Sequence, residues 1–258
     1  METYDQLKLR EIFHLEFLRN LNRKVKTGSY ALKGGVNLRF FFRSFRYSED
    51  LDLDVAAPGV AALRDLVMKI LETPTFTDTL KPFGIERVVA PDISKAKQTE
   101  TTQRFKVHLL TASGEDLFTK IEFSRRGIKG EVAIQPVSED ILRAYMLPPL
   151  LVAHYTVSSA IAQKIEALAA RKEIQARDVF DLYILNSQYT GVAPSEIDKG
   201  KFAKARENIF EISFGQFRDT VLSYLAVEDQ ATYNAPAAWD EIKLKAAQFI
   251  DELKVKHA

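Results

Sequence analysis

Apolar residues recur every three to four positions over residues 4–24, where Leu7, Leu9, Ile12, Phe13, Leu15, Phe17 and Leu18 stripe a stretch otherwise rich in Lys and Arg. That period predicts an amphipathic helix. A short strand follows at 30–33. A helix is predicted over 35–45, with Leu38, Phe41, Phe42 and Phe45 facing inward. Residues 48–55 read as a strand in which Asp50, Asp52 and Asp54 alternate with apolar residues, because successive strand residues face opposite sides. Residues 60–71 read as a helix that ends near Pro74. Strands are predicted at 85–91, 101–111, 117–124 (after a Ser113-Gly114 turn) and 131–135, and a short helix from Ser138, with Glu139 and Asp140 in its first turn.

The pattern changes near Pro148-Pro149. From about Thr156 it is helical almost throughout. Val157, Ile161, Ile165 and Leu168 form one stripe, Val179, Leu182, Tyr183 and Leu185 the next, and residues 202–225 and 239–253 supply more. Turn-forming residues at 190–200 separate the second of these helices from the rest. The expectation is an α/β (α+β) domain over 1–150 and a helical bundle over 151–258, with no internal repeat.

Composition is that of an ordinary globular chain: 258 residues with 46% hydrophobic, 28% charged and a formal net charge of +1. Overall charge therefore does not point to nucleic acid. Two local basic clusters stand out, Arg39/Arg43/Arg46 and Lys120/Arg125/Arg126/Lys129; taken singly, each reads as a solvated face. With no cysteine, disulfides, thiolate catalysis and Cys-ligated metals are excluded. No apolar run suits a signal peptide or a bilayer span, so a cytoplasmic protein without membrane contact is expected. His14, His108, His154 and His257 share no ligand-like spacing and receive no role; Trp239 reads as a core residue of the last helix.

Candidate chemistry concentrates in 30–55, YALKGGVNLRFFFRSFRYSEDLDLDV. Gly34-Gly35 opens a helix, and a helix start offers backbone N–H groups that suit phosphate. Fourteen residues later comes Asp50, with Asp52 and Asp54 at alternate positions on one strand face. Such a row of like charge requires a cation. Mg²⁺ is typically held by one or two carboxylates together with substrate phosphates. A phosphate cradle followed by such carboxylates points to nucleotidyl transfer. Glu122, between Ile121 and Phe123, reads alone as a surface residue, and beside Asp50 and Asp52 as a third metal carboxylate.

Lys164 and Arg171 lie seven apart on a predicted helix at 156–172 and so share a face. They read either as snorkelling cations or as phosphate contacts. Asp178 and Asp181 are adjacent on the next helix, and their repulsion calls for a cation, which Lys164 or Arg171 can supply. A structural ion-pair network between the two helices is the plain reading of that set.

The succession LKGG, RYSEDLDL, KIEF and QKIEALAARKEIQARDVFDLY resembles the AbiEii/MenT-like nucleotidyltransferases, toxins of bacterial toxin–antitoxin and phage-defence pairs within the DNA polymerase β-type superfamily. It spans roughly residues 30–183. The resemblance implies a polymerase-β-like domain with a mixed sheet and flanking helices, plus a helical bundle that closes a nucleotide cleft. It implies Mg²⁺ (or Mn²⁺) on Asp50, Asp52 and Glu122, and a catalytic set that adds Lys164 and Asp181. It implies nucleotide contacts from Gly34, Gly35, Arg46, Ser48, Lys164, Arg171 and Asp178. Arg177 also falls in the last motif. The implied reaction transfers NMP from an NTP to an acceptor hydroxyl such as a tRNA 3′ end, and the implied partner is a cognate antitoxin. Val36 stands where the family often has Thr or Ser, and Asp54 leaves Asp52/Asp54 as an alternative metal pair to Asp50/Asp52. Two other readings stay open: a catalytically silent nucleotide- or protein-binding module on the same scaffold, and a structural protein whose acids form surface ion pairs. NTP preference, acceptor and oligomeric state are not encoded legibly.

Overall fold

The computed structural model describes residues 4–26, 28–56, 59–191 and 197–256. The chain divides into two units: Met1–Asn37 with Tyr47–His154, and Leu38–Arg46 with Tyr155–Ala258.

The first unit opens with α1 (Gln6–Asn22), capped by the Asp5 carboxylate, which accepts from the Lys8 N–H at 2.9 Å. The strands are β1 (Tyr30–Lys33), β2 (Asp50–Val55), β3 (Ile85–Val89), β4 (Thr102–Thr111), β5 (Asp116–Ser124), β6 (Val132–Pro136) and β7 (Leu151–Tyr155). Among the described residues they form one seven-stranded mixed sheet in the order β3-β4-β5-β2-β1-β7-β6. β2 runs parallel to β5 and antiparallel to β1; β4 runs antiparallel to both β3 and β5. The helix α2 (Gly34–Phe41) follows β1, and α3 (Val60–Leu71) and α4 (Pro74–Leu80) follow β2. α1 packs on α3, α4 and β5, burying Ile12, Phe13, Phe17, Leu63, Phe76 and Ile121. A short α5 (Glu139–Ala144) precedes β7.

The second unit holds α6 (Val157–Ala170), α7 (Ala176–Gln188), α8 (Lys199–Phe210), α9 (Phe214–Thr220), α10 (Val227–Tyr233) and α11 (Pro236–Lys256). Its core collects Ile161, Ile165, Phe180, Phe202, Phe217 and Trp239, whose ring stacks on Phe217 at 4.4 Å. Leu38 and Phe42 belong to this same apolar cluster, which is why a segment from early in the chain joins the helical unit.

Several elements differ from the periodicity reading. The helix expected over 35–45 stops at Phe41. Arg43 takes a left-handed φ of 55°, and the Ser44 N–H turns back to the Leu38 carbonyl at 3.2 Å, closing the helix as a glycine commonly does. Pro74, read as a terminator, also opens α4, where its missing N–H costs nothing. β7 lies where a domain boundary was expected; it is held beside β1, with Leu32 opposite His154. The helical pattern read over 202–225 divides at Ser213, which caps α9 in a reciprocal box with Gln216. Of the expected turn at 190–200, residues 192–196 lie outside the described residues, as does His257. Among the described residues no helix is long and apolar enough to cross a membrane.

Candidate active site

β2 places Leu51 and Leu53 in the core, fully buried, and Asp50, Asp52 and Asp54 on the other face. Register then assembles the neighbours. β5 sets Lys120 beside Asp50 and Glu122 beside Asp52; β1 sets Lys33 on the far side of Asp52; β4 sets Arg104 beyond Glu122. Ile121 and Phe123, flanking Glu122, are fully buried on the opposite face.

Three of these four acids have cationic partners. Asp50 meets Lys120 at 2.7 Å, Asp54 meets Lys33 at 2.5 Å, and Glu122 meets Arg104 at 2.6 Å. Asp52 makes no ion pair among the described residues. Its pKa is raised above the usual aspartate value, first by burial and then by Asp50; Lys33 pulls it back, Glu122 adds to the rise, and Lys120 lowers it least. The site therefore contains one carboxylate whose charge the protein does not balance.

Gly34 lies directly against that carboxylate. Its φ of 69° is left-handed, and a Cβ there would stand 2.9 Å from Asp52 Oδ2. Two independent constraints thus require glycine, one of backbone and one of space. Gly35 is buried in the first turn of α2, and the Ser48 hydroxyl donates to the Asp50 carbonyl at 3.0 Å, tying down the start of β2. Behind β5, buried His14 bonds the Thr119 hydroxyl at 3.0 Å, and that hydroxyl donates to the Glu49 carbonyl at 2.7 Å. Burial, helped by Arg10, pushes the His14 pKa down to about 3, so this link is neutral.

The second unit carries a separate polar cluster. Lys164 Nζ lies 2.8 Å from Asp178 Oδ1 and 2.6 Å from Asp181 Oδ2. Arg46 adds a fork onto Asp181, with contacts of 3.0 and 3.2 Å from one terminal nitrogen. Arg171 reaches the other Asp178 oxygen at 2.8 Å, though that atom lacks a well-aligned hydrogen bond. Three cations thus face two buried carboxylates. Burial opposes the Lys164 charge, yet Asp178 and Asp181 raise its pKa above the ordinary lysine value. Burial also opposes the Asp181 charge, and Arg46 and Lys164 override it, holding Asp181 below the usual range. Arg171 is not inside the helix as the spacing suggested. α6 ends at Ala170 and Arg171 is extended, because the chain must reverse to start α7 at Ala176. Arg177 points to solvent.

The structure therefore brings Gly34, Asp50, Asp52 and Glu122 together in the first unit, and Arg46, Lys164, Arg171, Asp178 and Asp181 together in the second. Lys33, Lys120 and Arg104 were missed as site residues. Lys33 and Lys120 are the lysines of the motifs LKGG and KIEF, but only strand register shows what they touch. Among the described residues no three acidic or histidine side chains are gathered closely enough to hold a metal as they stand. Each flanking acid is drawn to its own cation.

This architecture, a mixed sheet with a glycine turn against strand aspartates, defines a nucleotidyltransferase fold. Three solved structures share it: a protein from H. pylori described as a nucleotidyltransferase (20% identity, 98% and 96% of the two chains, TM-score 0.59), JHP933 from Helicobacter pylori (19%, 99% and 94%, 0.58), and MenT4, a nucleotidyltransferase toxin from Mycobacterium tuberculosis (15%, 95% and 83%, 0.57). No curated protein matches by sequence. The family model for the nucleotidyl transferase AbiEii toxin of type IV toxin–antitoxin systems matches residues 16–252, and the chain belongs to that family.

Proposed function

We propose that this chain transfers NMP from an NTP to an acceptor hydroxyl, with a tRNA 3′ end as acceptor, as the toxin partner of a cognate antitoxin. The supporting observation is Asp52, a carboxylate left without a counter-charge beside the Gly34 turn. The donor set is all hard oxygen and suits Mg²⁺ or Mn²⁺, held by Asp50 and Asp52 with Glu122 as third carboxylate. Such an ion, when bound, would neutralise charge on the α-phosphate and on the attacking and leaving oxygens.

The chain's own residues position the reactants. Backbone N–H groups at Gly34 and Gly35 would cradle phosphate, and Glu122 would stand near the attacking hydroxyl. The acceptor hydroxyl gives up its proton to solvent as its oxygen bonds to the α-phosphorus, the α–β anhydride breaks, and pyrophosphate leaves with the bonding electron pair. Most of the acceleration would come from placement and charge neutralisation. Lys164 and Arg171, oriented by Asp178 and Asp181, would serve as phosphate contacts; Arg171, with its side chain 39% exposed, is the more accessible.

The assay is radiolabelled NTP with total tRNA and Mg²⁺; labelling that survives Asp52→Ala would sink the assignment. Because the flanking acids already carry ion pairs, a silent nucleotide-binding module is the second reading; it predicts NTP binding by calorimetry with no pyrophosphate. Gly34→Ala offers a sharper probe. It should lower transfer by at least about tenfold and stability by roughly 1 kcal/mol or more, since a left-handed alanine is strained and its methyl displaces Asp52. Pyrophosphate release and thermal melting read the two effects separately.

A further inference from the structure

The sheet face that carries Asp52 continues across β5 and β4, and the carboxylate site uses only one end of it. Strand register sets three rows on that face. One runs Asp52, Glu122, Arg104; the next runs Asp50, Lys120, Lys106; in the third, Phe118 stands opposite His108, their rings edge-on at 5.7 Å. The reverse side of β4 and β5 is closed by Phe105, Val107, Leu117 and Ile121. The front side is open: Lys106 is exposed, and the Arg104 and His108 side chains are 43% and 46% exposed.

Lys106 is out of balance on this face. It stands directly opposite Lys120, and like charges so placed, with Cβ atoms about 5 Å apart, cost free energy. Asp50 neutralises Lys120, Glu122 neutralises Arg104, and Asp116 sits 2.9 Å from His108. Lys106 has no anionic partner among the described residues. A single exposed lysine is ordinarily just solvated. Here it forms half of a cross-strand lysine pair, next to a ring that a base can stack on, and two strands from Asp52. Two inter-strand spacings are about 10 Å, within reach of a phosphate a nucleotide or two from a hydroxyl at Asp52. Lys106 is thus the uncompensated cation, Lys120 beside it is shared with Asp50, and the half-buried Phe118 ring lies on the same face; a cation for the backbone and an aromatic for a base are the two elements by which sheet faces hold single strands.

We infer that the open face of β4 and β5 is the docking track for the acceptor's single-stranded 3′ segment, with a phosphodiester held by Lys106, Lys120 beside it, and a base against Phe118. This rests on the nucleotidyltransferase reading but is tested apart from it. The probe is a 5′-labelled single-stranded RNA dodecamer with a free 3′ hydroxyl, followed by fluorescence anisotropy against the full chain. Lys106→Glu should weaken binding at least about tenfold and flatten the salt dependence by about 0.7 in log–log slope. Phe118→Ala should weaken it about five- to tenfold with the slope unchanged. NTP affinity by calorimetry should stay within about twofold in both; Lys106→Gln, with melting curves, controls for misfolding. Wild-type RNA affinity in Lys106→Glu would overturn the inference. So would a parallel loss of NTP affinity, which would make this an NTP phosphate site, or a preference of the wild-type protein for an acidic peptide over RNA. If RNA binding follows the expected pattern while no pyrophosphate forms, the track stands and the catalytic reading falls.

Discussion

Asp52→Asn should cut NMP transfer by at least about a hundredfold, and the metal-free variant should melt higher than wild type. The two effects have one cause. Asp52 is partly buried, with Asp50 and Glu122 as near neighbours and no ion pair among the described residues, so its charged form is held at a cost. Its folded-state pKa is raised, so the native protein binds this proton more tightly than the unfolded chain. Stability from this group therefore falls as pH rises from the ordinary aspartate value through the raised native one, and stays low above it. An amide removes the penalty while keeping the shape. At neutral pH the gain should register as ~2–4 °C for each kcal/mol relieved, and the pH slope should vanish with it. Added Mg²⁺ should stabilise wild type and leave Asp52→Asn nearly unmoved. A variant that melts lower than wild type in metal-free buffer would refute this account of Asp52. Function at the expense of stability is what a catalytic carboxylate without a counter-charge predicts.

Asp181→Asn should have the opposite thermal effect. Asp181 is fully buried and holds both Arg46 and Lys164. Neutralising it leaves three cations facing a single carboxylate in a buried cluster. Breaking such a pair from one side costs about 3–5 kcal/mol, or roughly 6–20 °C of melting temperature at this chain size. Asp181 has a depressed pKa, so its stabilisation is complete above the ordinary aspartate range and is lost as pH falls through its lower native value. Lys164 behaves in mirror image: its raised pKa keeps its contribution whole below the ordinary lysine value, and the contribution fades as pH climbs past the native one. Acid titration by circular dichroism should show wild type holding its helices to lower pH than Asp181→Asn. Equal acid midpoints would show that the cluster does not anchor these helices. Transfer measured per folded molecule then separates an orienting role for Asp181 from a structural one.

The local patterns were legible because they depend on neighbours in sequence. β1, α3 and the buried stripes of α1, α6 and α7 follow from apolar spacing alone. So does the shared face of Asp50, Asp52 and Asp54, since a strand alternates whatever it pairs with. The need of Asp178 and Asp181 for a cation followed from helix geometry, and Lys164 supplies it. Elements that depended on distant partners were not legible. β7 was passed over because five residues after a proline pair look like a linker until β1 is set beside them. The stop of α2 at Phe41 rests on Arg43 adopting a conformation that its residue type disfavours.

The sequence by itself determined the order of glycine turn, strand acids and helix cations, and with it the family to which this chain belongs. Tertiary structure alone decided which acid stays uncompensated. Lys120, Lys33 and Arg104 lie 70, 21 and 18 residues from the carboxylates they neutralise. Charge balance at such separations is set by strand register, and register is an outcome of folding. Residue type tells where a carboxylate can point; only the packed sheet tells what answers it, and for Asp52 nothing in the described chain does.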